Sequence, residues 1–410
     1  MHPRVAFAAL AAIALVVGGA SCSKAKGAPR APPRVVVITP SEAAAGPEFR
    51  GAEAFVRAHS AKGSKGEASH AVLPDGIMSG KSADGIEAAV ASFIAGVATD
   101  PSVEALVVEP AFPGSAEGFR RARAARPELF CVAGDSREDV LTIEASADLV
   151  VDLDRVYRAY LIPWAARKMG AHALVAVYSR GEEADPRAAR ERAIMSAACA
   201  DLGLKYAALT APKGREAAAD ARAMTGAWLR DYGRDTALYC SDDALAAPLL
   251  AGAIADGGIV VDAAGRLTRA AYAAALGLDL STAKGNARKE RALVERAIAA
   301  RGGRGRFGMW DADYAEASVE GLSEFALRAV AGEVSGAVGK SNLKDLVAAL
   351  DARSSGAAWL AAYDVDPETG VKSANRVLVR QDAYVLGSGY LQSALQTVPA
   401  KYLAIPADGQ

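Results

Sequence analysis

The sequence predicts an α/β protein made of two doubly wound parallel-sheet lobes joined by a hinge that the chain crosses more than once. Three observations predict it. Short continuous apolar runs of strand length alternate with Ala-rich helical patterns along most of the chain, as happens when parallel strands are covered by helices on both faces. The alternation starts a second time near Leu174, after a long helical pattern. A short run from Arg306 to Met309 then leads into a helix that reads as a return toward the first sheet.

In order, Val35 to Ile38 is a buried-type strand ended by Thr39-Pro40-Ser41, with a helix from about Pro47 to His59. Ala71 to Leu73 precedes a helix from about Ala83 to Ala98. Ala105 to Val108, Leu129 to Val132 and Leu149 to Val151 complete the first series, with a helix near Ala116 to Ala125. A helix from about Arg155 to Met169 leads away. The second series has strands at Leu174 to Tyr178, Lys205 to Leu209, Ala237 to Cys240 and Ile259 to Val261. Its helices are expected at about Pro186 to Leu202, Glu216 to Tyr232, Asp243 to Ala255 and Lys289 to Ala300. Ala315 to Ala331 is expected as a helix of the first lobe. Trp359 to Val365 and Arg376 to Val379 flank the turn signal Asp366-Pro367-Glu368-Thr369-Gly370 and read as a terminal hairpin. The expected division is 34–154 plus about 308–345 for the first lobe, 155–307 plus about 356–390 for the second, and 391–410 as a tail.

The N-terminal segment has its own logic. Arg4 precedes the apolar run Val5 to Val17, which has signal-peptide length and is short for a membrane span. Gly18 to Ser21 are small, and Cys22 follows at once, so residues 1–21 are expected as a signal peptide. GGASCSK resembles a bacterial lipobox, with Gly19 where that motif prefers Leu; the resemblance implies lipidation of Cys22. Residues 22–33 are basic, small and proline-rich and read as a tether.

The 410 residues are 51% hydrophobic and 6% aromatic with a net charge of −1. Near-neutrality, with no basic run interleaved with aromatics, argues against a nucleic-acid surface. Cys131, Cys199 and Cys240 fall in apolar patterns and read as buried small hydrophobes. His2, His59, His70 and His172 are not paired at metal-ligand spacing, and neither a G-x-S-x-G elbow nor H-E-x-x-H occurs, so no metal, cofactor or hydrolytic triad is expected. Gly303 to Gly308 matches a dinucleotide fingerprint in letters only, because it enters a strand where the motif must open a helix. GIMSGKS, Gly76 to Ser82, is one residue short of a phosphate loop.

In open parallel sheets, ligands sit beyond the carboxyl ends of the strands. Those ends supply Ser41 and Glu42, Met78 and Ser79, Glu109, and Asp135 and Ser136 in the first lobe. The second lobe supplies Tyr178, Ser179 and Arg180, then Ser241, Asp242 and Asp243, then Asp262. Trp310, Asp313 and Tyr314 follow the return strand. Each Asp or Ser either caps a helix or faces the cleft, and each aromatic either stacks on a ligand or packs the hinge.

The stretches RGAEAFV, EPAFPGSAEGFRRARAARPELFCVAGD, ASADLVVDLD, DTALYCSDDALAAPLL and GGRGRFGMWDADYAEASVEGLSEFA resemble a functionally uncharacterised lipoprotein family of clostridia and spirochaetes. That family shares the type I periplasmic-binding-protein fold, and the resemblance spans roughly Arg34 to Leu386. It implies an extracytoplasmic, lipid-anchored monomer that captures a small polar ligand (a sugar, nucleoside or heterocycle) for an ABC permease. A lipoprotein that senses such a ligand and signals to a membrane receptor is the alternative, and an enzyme on the same architecture a more distant one.

Overall fold

The computed structural model describes residues 34–60, 67–78, 82–182, 185–211, 217–241, 243–262, 268–284, 286–310, 312–335, 343–354, 359–366 and 369–406. The expected signal peptide, Cys22 and the tether lie outside them.

The first lobe begins with β1 (Arg34–Thr39), α1 (Gly46–His59), β2 (Glu67–Val72), α2 (Asp75–Met78), α3 (Ala83–Val97), β3 (Val103–Val108), α4 (Ser115–Ala125), β4 (Phe130–Gly134), α5 (Val140–Glu144) and β5 (Leu149–Leu153). Val35 and Val37 enter the core on one face of the sheet, and Val36 and Ile38 enter the core on the other. Burial on both faces is why this strand is continuously apolar and not alternating.

The second lobe follows with α6 (Arg155–Lys168), β6 (Ala173–Tyr178), α7 (Pro186–Leu202), β7 (Lys205–Thr210), α8 (Ala217–Tyr232), β8 (Thr236–Cys240), α9 (Asp243–Asp256), β9 (Ile259–Asp262), α10 (Arg269–Leu276), α11 (Ala287–Ala299) and β10 (Gly308–Met309). Its four parallel strands run in the order β7-β6-β8-β9, again with a core on each face. Cys131, Cys199 and Cys240 are buried outside any disulfide, as small hydrophobes are.

The chain then returns to the first lobe as α12 (Tyr314–Val330), α13 (Leu343–Arg353), β11 (Trp359–Val365) and β12 (Lys372–Gln381). It closes with β13 (Tyr384–Val385), β14 (Gly389–Tyr390) and α14 (Ala400–Leu403). α12 packs on α1, and Val319, Leu322 and Phe325 enter the first lobe's core.

One expected boundary is corrected. Residues 356–390 were expected in the second lobe, yet the hairpin β11–β12 extends the first lobe's sheet, whose order is β11-β12-β5-β4-β3-β1-β2. β12 runs parallel to β5, pairing Arg376 with Val150 through Val379 with Leu153. Two side chains fix that choice of edge. Asn375 Nδ2 donates to the carbonyls of Glu144 (2.7 Å) and Ala147 (2.9 Å), and Arg376 Nε bonds Asp152 Oδ2 at 2.8 Å. Val377 and Val379 are fully buried beside Trp359. Only from Ala383 onward does the chain rejoin the second lobe, where β13 pairs with β10. The expected tail is also folded there: the Tyr157 hydroxyl donates to the carbonyl of Ser393 at 2.7 Å, and Tyr402 packs 5.1 Å from Tyr160. The return boundary shifts slightly as well, since Met309 is buried in the second lobe's core.

The two lobes are therefore joined by three crossings: Leu153 to Arg155, Met309 to Tyr314, and Gln381 to Tyr384. The carboxyl ends of both parallel sheets meet at this junction.

Candidate functional site

α6 begins immediately after the first crossing, and its first turn holds Arg155 and Arg158 and no acidic residue. Cations there oppose the positive end of the helix dipole, so their place must be fixed by other charges. Arg155 Nη2 lies 3.1 Å from Asp135 Oδ1 of the first lobe, and its Nη1 lies 3.2 Å from Glu191 Oε1 on α7. One guanidinium thus clasps a carboxylate from each lobe. Beside it, Arg187 Nη1 donates to the Ser136 carbonyl across the cleft at 2.7 Å.

Asp135 follows β4 with φ of 38°, a left-handed conformation costly for a side-chain-bearing residue and concentrated at functional turns. Burial pushes its carboxyl up, but Arg155 and Arg137 more than offset this, and it ends below the usual carboxylate range. Ser136, next in the chain, donates its N–H to Asp152 Oδ1 at 2.8 Å.

Arg158 lies three residues further along α6. Its Nε bonds Asp262 Oδ2 at 2.8 Å, and its guanidinium lies 5.6 Å from the Tyr239 ring centre and 5.9 Å from that of Trp310. Burial opposes its charge, yet the Asp262 carboxylate outweighs this and holds it firmly protonated. Arg158, Asp262 and Trp310 border a cavity of about 40 Å³ at the hinge, lined from all three crossings by Asp154, Trp310 and Gln381 among others.

Glu109 directly follows β3, close to Asp135. It is fully buried, and neither carboxylate oxygen has a well-formed hydrogen bond. Burial pushes its carboxyl well above the usual range; the Ser318 hydroxyl opposes this, while the charges of Asp135, Glu48 and Asp152 add to it. It fits because Gly134 lacks a side chain, whose Cβ would stand 2.4 Å from Glu109 Oε2.

The other expected site residues divide clearly. Ser41 Oγ donates to Asp75 Oδ1 at 2.5 Å and caps no helix, since Ala45 is the N-cap of α1. Tyr178 is buried in the second lobe, 3.2 Å from both Met195 Sδ and the Tyr206 hydroxyl. Ser179 offers its backbone N–H to Ser241 Oγ at 3.0 Å and Glu182 Oε2 at 3.2 Å. Asp313 caps α12, accepting from the N–H groups of Ala315 (3.1 Å) and Glu316 (3.3 Å). Tyr314 packs 5.9 Å from Trp359 inside the first lobe. Arg180 is exposed. Ser79, Asp242 and the side chain of Met78 lie outside the described residues. The structure thus brings Asp135, Ser136, Asp262 and Trp310 to the junction, with Glu109 close to Asp135.

Arg155, Arg158, Arg187, Glu191 and Gln381 were not anticipated. The unfavourable pair of arginines opening α6 was a readable signal for two of them. Gln381 had none, because its role depends on which sheet edge the hairpin joins.

The fold and its hinge define the class: the chain has the fold of the type I periplasmic binding proteins, two α/β lobes with three crossings between them. Within that class it belongs to the DUF3798 family, described as a protein of unknown function, whose model matches residues 34–308. An uncharacterized protein of Treponema pallidum (strain Nichols) is 33% identical over 215 residues, covering 51% of this chain and 97% of the relative. A putative transcriptional regulator from Clostridium difficile 630 superposes with a TM-score of 0.71 at 17% identity, over 87% of this chain and 99% of that one. A sugar ABC transporter structure from Actinomyces odontolyticus gives 0.46 at 12% identity, over 75% and 86%.

Proposed function

We propose that this protein is an extracytoplasmic, lipid-anchored binding protein that captures a small polar ligand between its lobes and delivers it to an ABC importer, without chemistry of its own. The observation that carries the reading is the clasp at the junction. Arg155 joins Asp135 of one lobe to Glu191 of the other beside three hinge crossings. Such an arrangement has two states, clasped and open, and a ligand with different contacts in each shifts the balance between them. The apolar run Val5 to Val17 followed by Cys22 supports export and anchoring.

Two measurements test the halves of this proposal. Mass spectrometry of the small molecules released on denaturing the purified protein is expected to find one bound compound at near-stoichiometric amount; none, from several growth media, contradicts ligand capture. Cys22→Ala is expected to abolish fatty-acid labelling and free the protein from membranes. Labelling that persists in the variant removes the anchor.

A further inference from the structure

Thr39, the last residue of β1, is fully buried, and its hydroxyl stands between two partners. Oγ1 donates to the Pro40 carbonyl at 2.8 Å and lies 2.8 Å from Nε2 of His70 on β2. The other ring nitrogen, Nδ1, lies 2.8 Å from Glu53 Oε1 on α1. The His70 side chain is only 4% exposed, with the Phe49 ring 4.9 Å away, so these direct contacts decide where its protons sit.

A hydroxyl has one proton to give. While Thr39 gives it to Pro40, Oγ1 accepts from His70, so Nε2 carries a proton. An ionised carboxylate only accepts, so Nδ1 facing Glu53 carries one too. The arrangement is therefore that of an imidazolium ion. Glu53 is the charged group that meets it. From α1 the ring otherwise meets Phe49 and from β1 Thr39, and among the described residues it has no further polar or charged contact.

Removing one proton reverses a single link. Nδ1 keeps its proton, because a bare nitrogen there would face the Glu53 carboxylate. Nε2 becomes an acceptor, and the Thr39 hydroxyl turns toward it. The Pro40 carbonyl then loses its donor, and no other donor reaches it among the described residues. Pro40 opens the loop from β1 to α1 at the carboxyl edge of the first lobe's sheet. Next to it, Ser41 bonds Asp75 Oδ1 at 2.5 Å, and its carbonyl accepts from the N–H groups of Ala44 (3.0 Å) and Ala45 (2.9 Å). Holding Pro40 thus holds the start of the turn that carries the chain into α1.

We infer that His70 is a pH-sensitive latch on this loop. Protonated, it leaves the Thr39 hydroxyl to hold Pro40; neutral, it claims that hydroxyl and releases the loop. Histidine changes charge between about pH 5 and 8, so the loop is held at the acid end of that range and loosened at the basic end. The latch goes beyond the ligand-capture reading and does not depend on it.

Hydrogen–deuterium exchange of residues 40–45 in the full chain, corrected for the intrinsic effect of pH on amide exchange, reads the loop directly. Exchange is expected to be roughly 2- to 12-fold faster at about pH 8.5 than at about pH 5.5, the range for one hydrogen bond. Thr39→Val removes the hydroxyl and should leave the loop fast at both values, while Thr39→Ser keeps it and should restore the difference. His70→Phe fills similar space without ring nitrogens, leaves the hydroxyl to Pro40 throughout, and should make the loop slow at both. A histidine that merely braced the loop would give fast exchange at both values in His70→Phe, and that result overturns the latch. So does a wild-type loop that exchanges equally at the two values. Should Thr39→Val fail to fold, His70→Phe and Thr39→Ser decide. Nitrogen-15 spectra, with the His70 signals assigned by their loss in His70→Phe, should show both ring nitrogens protonated in acid and Nδ1 alone in base. A neutral ring that keeps its proton on Nε2 overturns the proposal as well.

Discussion

Glu109 shows most sharply what a single residue does here. Its carboxyl sits where water does not reach, held neutral by burial with Asp135 close to it. An acid whose folded pKa is raised keeps its proton in the folded state while the unfolded chain gives it up, so stability falls as pH rises above the ordinary value of 4.5. Glu109→Gln replaces the acid by a neutral group of the same shape. It should raise the melting temperature at about pH 8 and change it little at about pH 4, as differential scanning calorimetry would show. A gain of equal size at both ends would mean that Glu109 is not the titrating group. Glu320, pushed up to about 7 chiefly by burial, leaves a slope of the same sign in the variant. Glu324 does the reverse: the hydrogen bond from His59, aided by Arg353, lowers it to about 2. Its contribution is present above 4.5 and is lost as pH falls through about 2.

At the scale of elements, the hairpin β11–β12 decides how the lobes are joined. Because β12 lies on β5, the third crossing leaves from the first lobe and brings Gln381 to the hinge beside Trp310. Asn375 secures that register through two backbone carbonyls. Asn375→Ala should cost about 1–3 kcal/mol, the penalty for leaving a buried acceptor without its donor, measured by urea denaturation; a cost near zero would mean strand packing alone sets the register. This same element marks where the sequence stopped being legible. Two-face burial made the inner strands of the two main βα series readable from apolar runs, and Val35 to Ile38 is found inside β1, whereas the edge strands β2 and β7 are only partly buried. A hairpin with alternating burial fits either sheet edge, and only long-range partners such as Asp152 for Arg376 choose between them. The site behaved likewise. Strand ends pointed to Asp135 and Asp262, but the same rule swept in Asp313, which caps α12, and Tyr178, which packs in a core. Position at a strand end fixes where a residue starts and leaves open which way its side chain turns.

For the whole molecule, the central claim is that the lobes move about three crossings and that the Asp135–Arg155–Glu191 clasp belongs to the closed form. Removing it should favour opening. Arg155→Gln is expected to weaken capture of the co-purified ligand, mainly through faster release, because closing contacts govern residence more than encounter. Stopped-flow dissociation would show whether the off-rate carries the effect; an unchanged off-rate with a slower on-rate would place Arg155 in encounter and not in closure.

The motion itself is read most directly from a distance across the cleft mouth. Glu42 and Arg180 are exposed and follow the first strand of each parallel series, while the native cysteines at 131, 199 and 240 are buried and should resist labelling. Spin labels on Glu42→Cys and Arg180→Cys, followed by double electron–electron resonance, report the separation of the two lobes. After the bound small molecule is stripped by denaturation and refolding, the distribution should be broad and shifted to longer distances; returning the released fraction should collapse it to a shorter, narrower one. The same narrow distribution with and without that fraction, while calorimetry shows it bound, would contradict capture by closure.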